Sequence, residues 1–174
     1  MDVKTLLREQ FKSAHNLLEG TMQAVTEEQA HWTPPGKAIP VGATYAHVIL
    51  SEDMMLNGMV KRGASLFATT FAGKTGLGEN PPPPDQPWDE WSRSVKIDLG
   101  ALRAYAKAVY AATDEYIGSA TDDELARELD LSGFGMGMQS VAVFAGTLMV
   151  SHLNNHCGEV SSMKGIQGAK GYPF

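Results

Sequence analysis

Apolar residues recur at three- and four-residue steps from the start of the chain: Val3, Leu6, Leu7, Phe11, Ala14, Leu17, Leu18, Met22 and Val25. That spacing predicts a long amphipathic helix with one broad apolar face. Thr26-Glu27-Glu28-Gln29 reads as a capping box, opening a short helical turn that ends near Trp32. Pro34, Pro35, Gly36 and Pro40 then predict a loop. A second helix is expected from about Ala43 to Lys61, with Thr44 near its start and Gly63 marking its stop. One stripe of it carries His47, Leu50, Ser51, Met54, Gly58 and Lys61, widened by Val48, Met55 and Met59.

The pattern lapses over residues 63–87, which hold Gly73, Gly76, Gly78 and the run Pro81-Pro82-Pro83-Pro84. A connection this long is either a segment bordering a site or a tether between two helices running the same way. Phe67 and Phe71 are expected to pin it to the body. A third helix is predicted from about Pro87, carrying Trp88, Trp91, Val95, Leu99, Leu102, Ala106, Val109, Tyr116 and Ile117, and closing at Gly118. Asp122-Asp123-Glu124-Leu125 predicts one more short turn, the glycine-rich stretch 133–137 a linker, and Ser140 to Lys164 the fourth helix. Four long helical patterns with almost no strand signal predict an all-α fold in one domain over residues 1–174, a four-helix bundle. The long connection argues against uniformly short loops.

Composition narrows the function. Net charge is −6, and the 14 Lys and Arg residues are scattered. Nucleic acid is therefore not an expected partner. The only cysteine is Cys157, which permits no intrachain disulfide, and no signal-peptide pattern opens the chain, so the expected compartment is the cytoplasm. The stretch from Leu131 to Gly158 is uncharged and long enough to suggest a membrane span. It contains His152, Asn154, Asn155 and His156, however, which lipid would disfavour, so a helix at the centre of the bundle is expected instead.

The chemistry lies on that helix. At about 100° per residue, Met149, His152, His156, Glu159 and Met163 fall in one sector with Leu148 and Val160. Two imidazoles four residues apart stack on one face. With His47 from the second helix they would give an ion three nitrogen ligands and an open position, the arrangement of catalytic rather than structural sites. Glu159, a turn beyond His156, is the candidate for orienting a ligand ring or water; it could equally cap the wet end of the pocket or form a structural salt bridge. Asp98, beside the apolar stripe of the third helix, is a weaker candidate for the same duty. Ser51, one turn after His47, could hydrogen-bond a ligand but is expected instead in a tight interhelical contact, and Cys157, about 100° from His156, as a buried spectator thiol. His15 and His31 look peripheral, with no partner in the pattern. The nine methionines are spread over core positions, which fits adaptable packing. Gly73-Lys74-Thr75 imitates a phosphate-binding loop, but Gly76, Gly78 and the prolines leave no helix to receive a phosphate.

His47, the pattern His-x-x-x-His-x-Gly-Glu ending at Glu159, the Trp32-Thr33-Pro34-Pro35-Gly36 loop and the tail from Lys164-Gly165-Ile166-Gln167-Gly168 to Tyr172-Pro173-Phe174 resemble the DinB/YfiT-like metalloprotein superfamily. That group is unrelated to the DNA polymerase sharing its label. The resemblance implies a four-helix bundle with a long crossover and a metal triad of His47, His152 and His156. It also implies a divalent ion such as nickel or zinc, a homodimer, and activity as a metal-dependent hydrolase or a thiol-dependent transferase or isomerase. Members more often carry glutamine at the position of Glu159, so a catalytic duty there is not implied.

Two readings follow. In one, the protein is an enzyme acting on a small molecule, its ion lowering the pKa of water from about 15.7 towards about 7 or stabilising the thiolate of a low-molecular-weight thiol. In the other, it is a non-catalytic metal- or ligand-binding dimeric bundle. A general base beside the ion favours the first; a pocket closed by Trp, Phe or Met favours the second.

Overall fold

The computed structural model describes residues 1–83 and 86–174, so Pro84 of the proline run lies outside them. Helix α1 spans Val3–Met22 and opens at Asp2, whose side chain accepts from Thr5 N at 2.7 Å. It buries Leu7, Phe11, Ala14, Leu18 and Met22, while Val3 and Leu6 stay exposed. The capping box forms as expected: Gln29 N donates to Thr26 Oγ1, Thr26 N donates to the Gln29 side chain, and α2 runs Glu27–His31.

Helix α3, Val41–Asp53, continues into a wider π-helical segment at Met54–Val60. A π turn winds the chain less per residue than an α turn, and the expected stripe splits. Val48 and Met55 join the core, Leu50, Ser51 and Gly58 are half-buried, and Met54 is exposed.

The expected third helix is two helices, α4 at Asp89–Ser94 and α5 at Leu99–Ser119. Between them Val95, Lys96, Ile97 and Asp98 alternate buried and exposed, the period of an extended chain. Gly78 N donates to Lys96 O and Asp98 N to Gly76 O, each at 2.8 Å. Gly76 has a φ of +83°, and a Cβ there would lie 2.5 Å from Asp98 O, so only glycine lets the connection approach this closely. Asp98 itself does not orient a ligand: it caps α5, accepting from Gly100 N at 2.8 Å and Ala101 N at 3.0 Å. Gly73-Lys74-Thr75 leads into this connection and not into a helix.

After α6, Asp122–Ala126, the expected linker is the tip of a small hairpin. Its strands β1, Glu128–Asp130, and β2, Met138–Ser140, pair antiparallel with Leu129 opposite Gln139. The last long helix starts as α7, Val141–Val143, passes through a second π segment at Phe144–Met149 and continues as α8, Val150–Ile166.

Side-chain contacts fix the directions of the four rods. Arg8 pairs with Asp114 and Arg103 donates to Met22 O, so α1 and α5 are antiparallel. Tyr45 donates to Glu19 and His15 meets Glu52, so α3 is antiparallel to α1 too. Helices α3 and α5 therefore run the same way, and the chain between them must return along the bundle: this is the long crossover. Helix α8 follows α1, with Leu7 beside Gly146 and Thr21 beside Cys157. Both α5 and α8 pack against α1 and α3, around a core including Leu18, Tyr45, Ile49, Leu102, Phe144 and Leu153. No helix among the described residues is long and apolar enough to cross a membrane.

Candidate metal centre

His47 comes from α3, and His152 and His156 come from α8, where the two helices pack antiparallel. His47 Nε2 lies 3.1 Å from His152 Nε2. The His156 ring stands edge-on to both, with centroids 4.8 Å from His47 and 4.4 Å from His152. One ring nitrogen from each histidine lies within 4.8 Å of the other two. With metal–nitrogen bonds of about 2.0–2.1 Å, tetrahedral ligands sit roughly 3.4 Å apart, and the closest pair already meets that spacing. All three rings are half-buried. They sit on the rim of the core, because Ser151, Asn154, Asn155 and Glu159 on the same helix face outward. The expectation of a helix at the centre of the bundle is corrected on this point.

Electrostatics suit neutral donors. Burial first, and then the repulsion a protonated His156 would exert, push His47 down to about 4. Burial, then His156 and His47, push His152 down to about 3. Both rings are therefore uncharged near neutral pH, as imidazole ligands must be. His156 Nδ1 donates to Glu159 Oε2 at 2.7 Å, which fixes the tautomer and leaves its Nε2 lone pair free. Trp88 stands edge-on against His47, with centroids 5.1 Å apart.

Two recesses lie beside residues that touch the histidines, Glu159 against His156 and Trp88 against His47, although no histidine lines either one. One, about 630 Å³, is lined by Lys37, Thr44, Asn155, Glu159, Ser162 and Tyr172 among others. The other, about 360 Å³, lies over Leu50, Met54, Gly58, Phe67 and Trp88. Ser51 faces this second recess and not a closed interhelical contact. Cys157 is buried against Thr21, and burial pushes its thiol up, as befits a spectator.

The two remaining histidines do have partners, contrary to the sequence reading. His15 is buried, stacks on Tyr110 with centroids 3.8 Å apart, and donates to Glu52 Oε2 at 2.9 Å. His31 Nδ1 donates to Glu27 O at 2.8 Å, and its Nε2 accepts from Ile97 N at 3.0 Å, tying α2 to the segment before α5. Two carboxylates at the end of α3, not expected as buried anchors from the sequence, are fully enclosed. Glu52 accepts from His15 and Thr113. Asp53 accepts from Asn57, Leu66 N, Phe67 N and Tyr105 OH, so it anchors the start of the crossover. Their signal was a pair of acidic residues inside an apolar helix, which calls for partners. Trp88 gave no such signal, because an aromatic at a helical step looks like core.

The sequence pattern of the DinB superfamily matches residues 10–160, which include the three histidines and Glu159. No curated protein matches the chain. Among solved structures, a conserved protein from Enterococcus faecalis is similar with a TM-score of 0.78 and 19% sequence identity, over 97% of this chain and 99% of that one. At that identity the likeness is one of fold.

Proposed function

The chain belongs to the DinB superfamily, and on that premise we propose that it is a metal-dependent enzyme holding one divalent ion, zinc or nickel, on His47, His152 and His156. The observation that carries the reading is the convergence of three imidazole nitrogens from two helices within 4.8 Å of one another. Three protein ligands leave room for a substrate, whereas structural sites close with four. When bound, the ion would supply Lewis acidity, polarising an oxygen and easing proton loss from water or a thiol. Glu159 aims His156 by holding its Nδ1–H, and Trp88 shields one side of His47 from water. The substrate is a small molecule, and the reaction is hydrolysis or transfer to a small thiol. A cytoplasmic homodimer belongs to the same proposal; sedimentation of the metal-loaded protein checks its mass.

Two observations favour the non-catalytic reading, and the first is the recess walled by Met54, Phe67 and Trp88 beside His47. The second is that among the described residues the metal-binding group contains only histidines, and Glu159, the carboxylate beside it, is engaged by His156. The test is elemental analysis of the untreated protein, followed by an assay of esters, amides and thiol-reactive electrophiles with and without a cofactor thiol. The expected result is about one ion per chain and turnover that His152→Ala abolishes. Equal turnover in both proteins would remove the enzyme reading and leave the binding one.

A further inference from the structure

The two recesses beside the histidines differ in character, and that difference orients whatever enters. On the Glu159 side the wall sets Lys37, Asn155 and the Tyr172 hydroxyl among Ala38, Ile39 and Met163, while the Thr44 and Ser162 hydroxyls are taken by Pro40 O and Gly158 O. On the Trp88 side it offers Leu50, Met54, Phe67, Pro81, Pro82 and the indole of Trp88. Leu50 and Ser51, one turn after His47 on α3, and Met54 and Gly58 on the π segment that continues it line this second wall, so the histidine and the pocket lie along one continuous rod. Trp88 joins them directly, because its ring lines the pocket and also meets the edge of His47 at 5.1 Å between centroids. The volume, about 360 Å³, falls at the lower end of small-molecule sites, which span about 300–1,000 Å³.

We infer that the Trp88 pocket receives the apolar arm, an aromatic ring or branched alkyl chain, of the molecule that reacts at the three histidines. The inference rests on the metal-centre reading and adds to it a substrate class and an orientation. The polar end lies towards Asn155 and Tyr172, and the reacting atom lies between the two recesses. An aromatic arm stacks or packs edge-on against Trp88 and Phe67 and leaves water, which is the source of its affinity.

Metal-binding hydroxamates of two sizes test this directly, since both carry the same chelating group. Acetohydroxamate and benzohydroxamate are titrated calorimetrically into the metal-loaded protein, with metal content measured on the same samples. Benzohydroxamate is expected to bind at least roughly tenfold more tightly, the effect of burying one ring. Gly58→Leu is the companion variant. A Cβ at Gly58 meets nothing nearer than Met54 Cγ at 3.8 Å, and Gly58 lines the pocket, so the rest of a leucine side chain takes up pocket volume. It should retain metal and bring the two hydroxamates to near parity. Equal binding of both probes to the metal-loaded wild type, or an undiminished benzohydroxamate advantage in Gly58→Leu, overturns the pocket assignment alone. A protein that takes up no metal overturns the metal-centre reading and this inference with it.

Discussion

Glu159 acts on the site only through His156, and the strength of that contact can be measured. Removing the carboxylate in Glu159→Ala frees the imidazole to rotate and change tautomer, which should lower metal affinity by about tenfold. The effect belongs at the low end of the usual range because the carboxylate side chain is 57% exposed. Glu159→Gln keeps an oxygen that accepts from Nδ1–H and should restore most of the affinity in a competitive chelator titration. A glutamine variant as weak as the alanine one would show that charge, and not orientation, is what His156 receives. Asp53 makes a sharper case for stability. Its removal in Asp53→Ala leaves Tyr105 OH, Leu66 N, Phe67 N and the Asn57 amide without their acceptor. The expected loss is about 3 kcal/mol or more in urea unfolding; a loss under about 1 kcal/mol would mean that the crossover re-pairs with water.

Among the elements, the junctions depend on single polar side chains. Asp98 satisfies the first amides of α5, and Asp98→Ala should cost about 1 kcal/mol while leaving metal content intact. A drop in metal content instead would return Asp98 to the role first expected of it. Arg127 links two other elements: it donates to Val60 O at the end of the first π segment and pairs with Glu124 of α6. The Arg127 guanidinium, and then the Tyr116 hydroxyl, hold the Glu124 carboxyl down to about 2 from 4.5. The unfolded chain therefore takes up this proton first. The contact stabilises fully above pH about 4.5 and is lost as pH falls through about 2. The urea midpoints of wild type and Glu124→Gln should converge over that window; parallel pH profiles would refute the coupling. The α4–α5 break was within reach of the sequence, since Val95 and Ile97 flank Lys96 with period two. A helical rhythm running from Trp88 to Ile117 hid it, because four residues carry too little pattern to outweigh thirty.

For the whole molecule, an ion held by His47, His152 and His156 would join α3 to α8 across the bundle, so its binding would also be folding energy. At a free concentration about 100 times its Kd, a single site should add about 2.7 kcal/mol to stability. That gain should vanish with a chelator and be absent in His47→Ala; thermal unfolding monitored with and without metal checks it. An equal shift in the variant would place the ion elsewhere. The chain's own order of residues determined much of this: the helical class, the Thr26 capping box, the long return between helices and the three imidazoles. Each of these is written in local spacing or in residue type, which do not depend on what packs against them. Tertiary structure alone decided that a pocket opens along the rod that carries His47, that Trp88 meets a histidine from the edge of the core, and that Glu52 and Asp53 find buried donors. Those outcomes depend on residues far apart in the chain meeting in space, and on π turns that alter the angle between successive side chains, and neither leaves a periodic trace.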